Sequence, residues 1–88
     1  MREFEIEEKL DRVLIKLHKK DRKAYEIVFK KIKEIIGVND VEHYKNLRKP
    51  LHEFKRVHID PFVLVFKYDK TRDKIIFHDF DHHDKIYK

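Results

Sequence analysis

Cysteine, serine, glutamine and tryptophan are absent from the 88 residues, and glycine and threonine each occur once, as Gly37 and Thr71. Without serine or cysteine the chain lacks the usual side chains that form acyl-enzymes, so hydrolysis by a Ser–His or Cys–His pair is excluded. A single glycine also excludes the phosphate-binding P-loop and the glycine motif of dinucleotide-binding folds. The lack of cysteine is typical of a reducing compartment.

Long apolar runs are also absent, so the sequence predicts no membrane-spanning segment. The first ten residues alternate charged and apolar side chains and contain no apolar signal-peptide core, and we therefore expect the protein in the cytoplasm. The length suits a single domain over residues 1–88. With 22 Lys and Arg against 17 Asp and Glu, the formal charge is +5, which favours an anionic partner.

Helical periodicity dominates the first 36 residues. Apolar side chains recur at the spacing of one helix face in two stretches, and the two stripes are Leu10, Val13, Leu14 and Leu17, then Tyr25, Val28, Phe29, Ile32, Ile35 and Ile36. Asp21 between them is suited to N-cap the second helix, and Gly37 to end it as a C-terminal cap. The pattern predicts a helical hairpin.

After residue 54 the apolar period changes from that of a helix to that of a strand. The segments 54–59, 62–67 and 74–81 are rich in Val, Ile and Phe, and residues 4–6 could add a short edge strand. The sequence therefore predicts an α+β fold, in which an N-terminal helical hairpin packs on one face of a small, mainly antiparallel sheet of three to four strands.

The predicted sheet should present two unlike faces. Residues 62–66 are apolar throughout, which predicts a central strand. In the preceding strand, alternation places Val57 and Ile59 toward the helices and places Phe54, Arg56 and His58 on the other face, which we expect to be uncovered.

A basic segment overlaps that strand. Between residues 43 and 58 the only acid is Glu53, against eight basic or imidazole side chains: His43, Lys45, Arg48, Lys49, His52, Lys55, Arg56 and His58. Such a segment is either a solvated surface of a lysine-rich protein or a phosphate-binding surface. The histidines favour function, because imidazole exchanges protons near neutral pH.

The C-terminal segment 77–88 is rich in histidine and aspartate. It fits a polar strand end, a metal site of His and carboxylate ligands, or a proton-transfer site. Alternation along a strand disfavours the metal site, because neighbouring ligands point to opposite faces. In the third interpretation a terminal histidine and Tyr87 would meet His58 and Arg56 across the open face of the sheet.

The order of these features resembles the RelE/ParE superfamily of bacterial and archaeal toxins. Lys-Pro-Leu at 49–51, the segment Arg-Val-His-Ile-Asp-Pro at 56–61, the apolar run closed by Lys67, and His83 followed by Tyr87 are most similar to its YafQ branch. The resemblance implies a RelE-like fold and a ribosome-dependent mRNA endonuclease. It further implies a type II toxin–antitoxin system, in which a RelB-like antitoxin inactivates the toxin in a hetero-oligomeric complex.

The resemblance also carries over to individual positions. His58 matches the strand histidine of the branch, His83 its C-terminal histidine, and Tyr87 its terminal aromatic residue. Three positions depart from the pattern: Lys49 stands where that branch has a further histidine, Phe62 follows Pro61 where that branch has an acid, and Val63 stands where the wider family has an arginine.

RNA cleavage without a metal requires a base for the 2′-hydroxyl, cations for the phosphorane and an acid for the departing 5′-oxygen. We expect His83 to be the acid, His58 the base or a phosphate contact, Arg56 and Lys49 the charge stabilisers, and Tyr87 a stacking platform or an orienter of His83. Arg48, Lys55 and His52 would bind RNA phosphates. The scheme involves no cofactor and no metal.

Two other functions remain open. A ParE-like protein would have the same fold and poison DNA gyrase, with no need for paired histidines. A non-catalytic nucleic-acid-binding domain would use the basic segment to bind phosphates, with steep salt dependence and no cleavage.

Overall fold

The computed structural model describes residues 2–87, which form a four-stranded sheet and three helices. In chain order the elements are β1 (Glu3–Ile6), α1 (Glu8–Lys20), α2 (Arg22–Gly37), a 3₁₀ turn (Val41–His43), β2 (Lys55–Ile59), β3 (Phe62–Asp69), β4 (Lys74–His82) and the single-turn α3 (His83–Ile86). No helix among the described residues is both long and apolar enough to cross a bilayer.

The two long helices form the predicted hairpin. Only Asp21 separates them, and its carboxylate accepts a hydrogen bond from the Ala24 backbone N–H at 3.1 Å, which caps α2 as expected. The C-terminal end differs from the prediction. Gly37 is the last residue of α2, and its φ is not positive. Val38 follows it in an extended conformation, so the helix ends without a glycine cap.

The sheet order is β1–β4–β3–β2. Strands β2, β3 and β4 pair antiparallel, whereas β1 pairs parallel with the outer edge of β4. The α+β prediction is therefore confirmed, including the edge strand and the central position of β3.

The main core lies between the sheet and the helical hairpin. Its buried side chains come from both helices, the 3₁₀ turn, β3 and β4: Leu10, Leu14, Val28, Ile32, Ile35, Ile36, Val41, Leu64, Phe66, Ile75, Phe77 and Phe80. Val57 and Ile59 pack against this core from β2, as strand alternation predicts.

The opposite side of the sheet, which we call the far face, is partly covered. Leu47, Val63 and Val65 are buried there, and Phe54 and Ile86 pack against them. We call these five residues the second cluster. The expectation of an uncovered face is thus wrong in part, because the loop before β2 and the turn α3 both fold over β3. Val63, at the position of the family arginine, is fully buried in the second cluster.

A β-bulge interrupts the pairing of β3 with β4. Val65 is opposite Asp79 whereas Phe66 is opposite Phe77, so His78 is the extra residue. Phe77 and Phe80 both belong to the main core although two residues separate them. The bulge therefore shifts the inward-facing positions by one residue in the second half of β4.

Arg2 joins the N-terminal segment to two other parts of the fold, the β3–β4 turn and the end of α2. Its Nε donates to Asp73 Oδ1 at 2.8 Å in the β3–β4 turn, and the other guanidinium nitrogens donate to backbone carbonyls at the end of α2, namely Ile36, Val38 and Asn39. The Tyr68 hydroxyl also donates to Asp73 Oδ1, at 2.7 Å. One guanidinium thus satisfies the Ile36 carbonyl in the last turn of α2 and two carbonyls in the segment that follows the helix.

This contact predicts an acid-sensitive contribution to stability. Hydrogen bonds from Tyr68 and then Arg2 lower the pKa of the Asp73 carboxyl below its ordinary 3.8. A lowered folded pKa stabilises the native state above the ordinary value, and the stabilisation is lost as the pH falls through the folded pKa. Between about pH 5 and about pH 3, the free energy of unfolding of the parent should therefore decrease more than that of Asp73→Asn, as measured by urea denaturation.

Asp69→Asn is the matched control, because Asp69 lies in the same hairpin and its ion-pair partner Arg72 is 4.0 Å away. This variant should keep the acid sensitivity of the parent. Equal acid sensitivity in the parent and Asp73→Asn would contradict the proposed contribution.

Candidate functional site

Four of the residues predicted to act in catalysis come together on the far face. The rings of His58 and His83 are 5.8 Å apart, and the Tyr87 ring lies 4.5 Å from His83 and 6.0 Å from His58, measured between centroids. The guanidinium carbon of Arg56 lies 5.9 Å from the centre of the Tyr87 ring, within cation–π range. We call Arg56, His58, His83 and Tyr87 the histidine cluster.

Strand β2, the turn α3 and one backbone contact place these side chains. Arg56 and His58 are two residues apart on β2 and therefore point to the same face. At the other end of the chain, the His83 N–H donates to the Pro61 carbonyl at 2.9 Å, which fixes the start of α3 beside the β2–β3 turn. A single helical turn then brings Tyr87 back over His83, with the Tyr87 N–H donating to the His83 carbonyl at 3.1 Å.

The histidine cluster is accessible to a large substrate. His58 and His83 are exposed and Tyr87 is 36% exposed, while Arg56 is half-buried. Tyr87 Oη lies 3.4 Å from His58 Nε2, within hydrogen-bond reach, with the donor set by the histidine tautomer. Among residues 2–87, no carboxylate pairs with Arg56. An anion near the two imidazoles would therefore find an unneutralised guanidinium.

Arg48 and Lys49 lie next to the histidine cluster. Both line a cavity of about 240 Å³ between the loop before β2 and the end of α3, and Tyr87 forms part of the same lining. Both side chains belong to exposed residues. Their positions agree with contacts to a substrate that also reaches the histidines.

Lys55 is placed differently from the expectation of a phosphate contact. The residue is only 6% exposed, and its ammonium donates to the Tyr44 carbonyl at 3.1 Å and to Asn46 Oδ1 at 3.0 Å. Glu42 lies 3.9 Å from the same nitrogen. The ammonium is thus already bonded inside the protein, and Lys55 holds the loop before β2. Strand alternation could have predicted the burial of Lys55, since Lys55 shares the helix-facing side of β2 with Val57 and Ile59.

His52 is exposed, and its backbone carbonyl accepts a hydrogen bond from Asn46 Nδ2 at 2.6 Å. Within residues 2–87 its ring stacks on no member of the histidine cluster. His43 also lies elsewhere, with Nδ1 2.5 Å from the Asp40 carbonyl. In the basic segment, Arg48 and Lys49 therefore lie beside the histidine cluster, and Lys55 is buried and supports the loop before β2. His43 and His52 lie at separate positions on the surface.

Two residues at the site were missed by the sequence analysis. Asp84 Oδ1 lies 3.6 Å from His83 Nδ1, close enough to pair with a protonated imidazole but too long for a hydrogen bond. Ile86 packs into the second cluster and anchors α3 to β3. The adjacent positions of Ile86 and Tyr87 could have predicted this anchoring. Neighbouring residues on one helical turn point in different directions, so an exposed Tyr87 implies an inward Ile86.

The described residues contain no group of three or more His, Cys, Asp or Glu side chains placed to hold a metal ion. The rings of His58, His83 and Tyr87 instead lie side by side on β2 and α3, with centroids 4.5 to 6.0 Å apart. Two imidazoles can accept and donate a proton, and adjacent cations can stabilise a phosphate as its charge increases. The arrangement supports acid–base chemistry on a phosphodiester.

Comparison with solved structures defines the fold class. The toxin–antitoxin complex RelBE2 of Mycobacterium tuberculosis contains a chain that matches with a TM-score of 0.75 at 16% identity, over 93% of this chain and 98% of that one. YafQ of Escherichia coli matches with a TM-score of 0.69 at 14% identity, over the whole of both chains. The architecture is therefore RelE-like.

Sequence comparison identifies the family. No family model matches the chain. However, the candidate toxin RelE4 of Methanocaldococcus jannaschii is 54% identical over 89 residues, which cover 100% of this chain and 93% of that protein. The chain belongs to the RelE toxin family, as the sequence motifs indicated.

The internal role of Lys55 predicts a loss of stability on its replacement. Lys55→Met would leave the Tyr44 carbonyl and Asn46 side chain without their donor, and the free energy of unfolding should fall by about 1–3 kcal/mol in urea denaturation. Lys45→Met is the matched control, since Lys45 is an exposed lysine of the same basic segment and should change stability by about 0.5 kcal/mol or less. A Lys55→Met variant as stable as the parent would contradict this role.

Proposed function

We propose that this protein is the toxin of a type II toxin–antitoxin system and acts in the cytoplasm as a ribosome-dependent mRNA endonuclease. Family membership supports the toxin assignment. The observation that carries the enzymatic proposal is the convergence of His58, His83, Arg56 and Tyr87 on one accessible face, although these residues come from two distant segments.

The proposed reaction is an intramolecular phosphoryl transfer. One imidazole accepts the proton of the 2′-hydroxyl, whose oxygen attacks the adjacent phosphorus, and the bond from phosphorus to the 5′-oxygen breaks. The second imidazole donates a proton to that 5′-oxygen. The products are a 2′,3′-cyclic phosphate and a 5′-hydroxyl, and no metal or water molecule is consumed in this step.

The geometry supports a division of roles. His83 is exposed on the turn α3, with its Nδ1 3.6 Å from Asp84 Oδ1, and we assign it as the acid. His58 is the base or a phosphate contact. Arg56 and Lys49 stabilise the phosphorane, and Tyr87 stacks on a base or orients the histidines. Arg48 binds a neighbouring phosphate, whereas Lys55 is left out because its ammonium is buried and bonded.

Ribosome dependence agrees with the open geometry of the site. His58 and His83 of the histidine cluster are exposed on the surface of the protein. Substrate positioning by the ribosome would supply the alignment that an exposed site lacks. Free RNA should accordingly be a poor substrate.

Replacement of His83 tests the enzymatic proposal. With translating ribosomes, His83→Ala should cleave mRNA at least about 100-fold more slowly than the parent, because a general acid is lost, while its thermal denaturation should be unchanged. The measurement is mapping of message ends over time, together with detection of the cyclic phosphate in the product. His18→Ala is the matched control, since His18 is an exposed histidine on α1.

Cleavage by His83→Ala at the parental rate would contradict the assignment of the acid. No cleavage by the parent, together with inhibition of gyrase supercoiling, would favour the ParE-like function. Neither activity, with salt-sensitive nucleic-acid binding, would favour the non-catalytic domain.

We also propose a RelB-like antitoxin that is mostly acidic and partly disordered. The matched RelBE2 structure is a toxin–antitoxin complex, and this chain carries a formal charge of +5. The helical hairpin also exposes an apolar groove of about 440 Å³, whose lining includes Ile15, Tyr25 and Phe29. A disordered acidic segment could fold against such a groove and bind the basic surface at the same time.

Expression experiments test the antitoxin proposal. The gene expressed alone should arrest growth, and expression of the neighbouring gene should restore growth and yield a hetero-oligomer by co-purification. His83→Ala expressed alone serves as the control and should be tolerated. Harmless high-level expression of the parent protein without its neighbour would contradict the proposal.

A further inference from the structure

His78 has no part in the proposed reaction, yet its ring is bonded to the other end of the chain. This histidine is the extra residue of the β4 bulge, and its Nδ1 lies 2.5 Å from Glu7 Oε1. Both residues are half-buried. Because a carboxylate accepts hydrogen bonds, the imidazole N–H is the donor. Glu7 lies between β1 and α1, so the contact joins the start of the fold to its last strand.

Glu7 holds the bulge through its backbone as well as its side chain. The Glu7 N–H donates to the Phe77 carbonyl at 3.0 Å, one residue before His78. The Glu7 side chain makes no capping hydrogen bond to α1, so its carboxylate is available to the imidazole. The bulge leaves His78 without a partner in the ladder with β3. Two hydrogen bonds of Glu7 thus fix a part of β4 that the ladder does not fix.

The His78 ring also contacts the second cluster. It stacks on Phe54, with ring centroids 4.7 Å apart and planes 29° apart. Phe54 belongs to the same cluster as Ile86, which anchors α3 to β3. His78, Phe54 and Ile86 all line one cavity of about 180 Å³ on the far face. The position of the His78 ring therefore affects the packing that holds α3 on the sheet.

The turn α3 depends on few contacts, so it should respond to small changes in that packing. It is a single turn without a buried residue, attached through Ile86 and through the hydrogen bond from the His83 N–H to the Pro61 carbonyl. Reacting groups need close alignment, and a displacement of about 1 Å can lower a rate by about 100-fold. A small displacement of α3 would therefore impair His83 without unfolding the protein.

We propose that His78 is a positioning residue for the endonuclease, which acts through Phe54 and Ile86 on the placement of His83, and that Glu7 holds its ring in place. The proposal rests on the proposed function and adds a residue pair outside the histidine cluster. In the described part of the chain, no member of that cluster stacks on the His78 ring, so the imidazole acts through other side chains.

Two variants remove the hydrogen bond from opposite sides. His78→Phe keeps a ring against Phe54 and loses the bond to Glu7, and Glu7→Ala loses the same bond. With translating ribosomes, each should lower kcat for mRNA cleavage by about fivefold to tenfold and leave KM for the ribosome unchanged, because the residues that bind RNA are intact. The double variant should be no slower than the slower single variant, since both changes remove one interaction.

Two further variants are controls. Glu7→Gln keeps an acceptor for the imidazole N–H and should restore kcat to near the parental value. His43→Phe is the matched control, because His43 Nδ1 also lies 2.5 Å from an oxygen, the Asp40 carbonyl, and its ring lies 4.0 Å from that of Tyr44. This histidine belongs to the 3₁₀ turn and not to the sheet, so kcat should stay at the parental value.

Amide hydrogen exchange on the full chain separates positioning from a loss of overall stability. In His78→Phe and Glu7→Ala, the His83 N–H should exchange about fivefold faster than in the parent, because α3 opens more often. The Leu64 N–H, on the fully buried central strand, should change much less. Equal acceleration of both amides would overturn the proposal, because His78 would then have a merely structural role.

The two measurements also distinguish this proposal from the proposed function. Faster exchange at His83 in both variants, with no mRNA cleavage by the parent, would support the coupling of His78 to α3 and overturn the enzymatic function alone. Cleavage by the parent, with kcat and His83 exchange unchanged in both variants, would overturn the role of His78 alone.

Discussion

Burial of β3 on both faces is the constraint on which the other contacts depend. Leu64 and Phe66 point into the main core and Val63 and Val65 into the second cluster, and all four are at most 3% exposed. The helical hairpin covers the first pair. The second pair needs a cover that the two long helices cannot supply, because they already occupy the other side. The loop before β2 and the turn α3 provide it, through Leu47 and Ile86.

This cover explains why the histidine cluster forms where it does. Ile86 packs inward to protect β3, and the same turn presents His83 and Tyr87 outward, over His58 on β2. The short turn α3 thus does two things: it covers β3, and it places two residues of the candidate site. The arrangement also explains the valine at position 63, since an arginine there would put an unpaired charge into the second cluster.

Sequence periodicity was sufficient for the larger features of the fold. The helical hairpin, the central strand and the common face of Arg56 and His58 follow from spacing alone, because each depends on local geometry and on which side is apolar. The burial of Lys55 was not predicted, since its bonds to Tyr44 and Asn46 depend on the path of an irregular loop. The partial cover of the far face was missed for the same reason. The proximity of His83 to His58 was expected only through the third interpretation of the C-terminal segment and through family resemblance.

The bulge at His78 was also beyond periodicity, and it has a consequence for the end of the chain. Regular alternation from Ile75 and Phe77 would turn Phe80 away from the helices, whereas one extra residue returns it to the main core. The bulge also changes which face of the sheet each later side chain of β4 points to. It therefore sets the direction in which the chain enters α3 at His83. Loss of one residue at this point would leave the composition of the site intact while turning its histidine to the wrong side of the sheet.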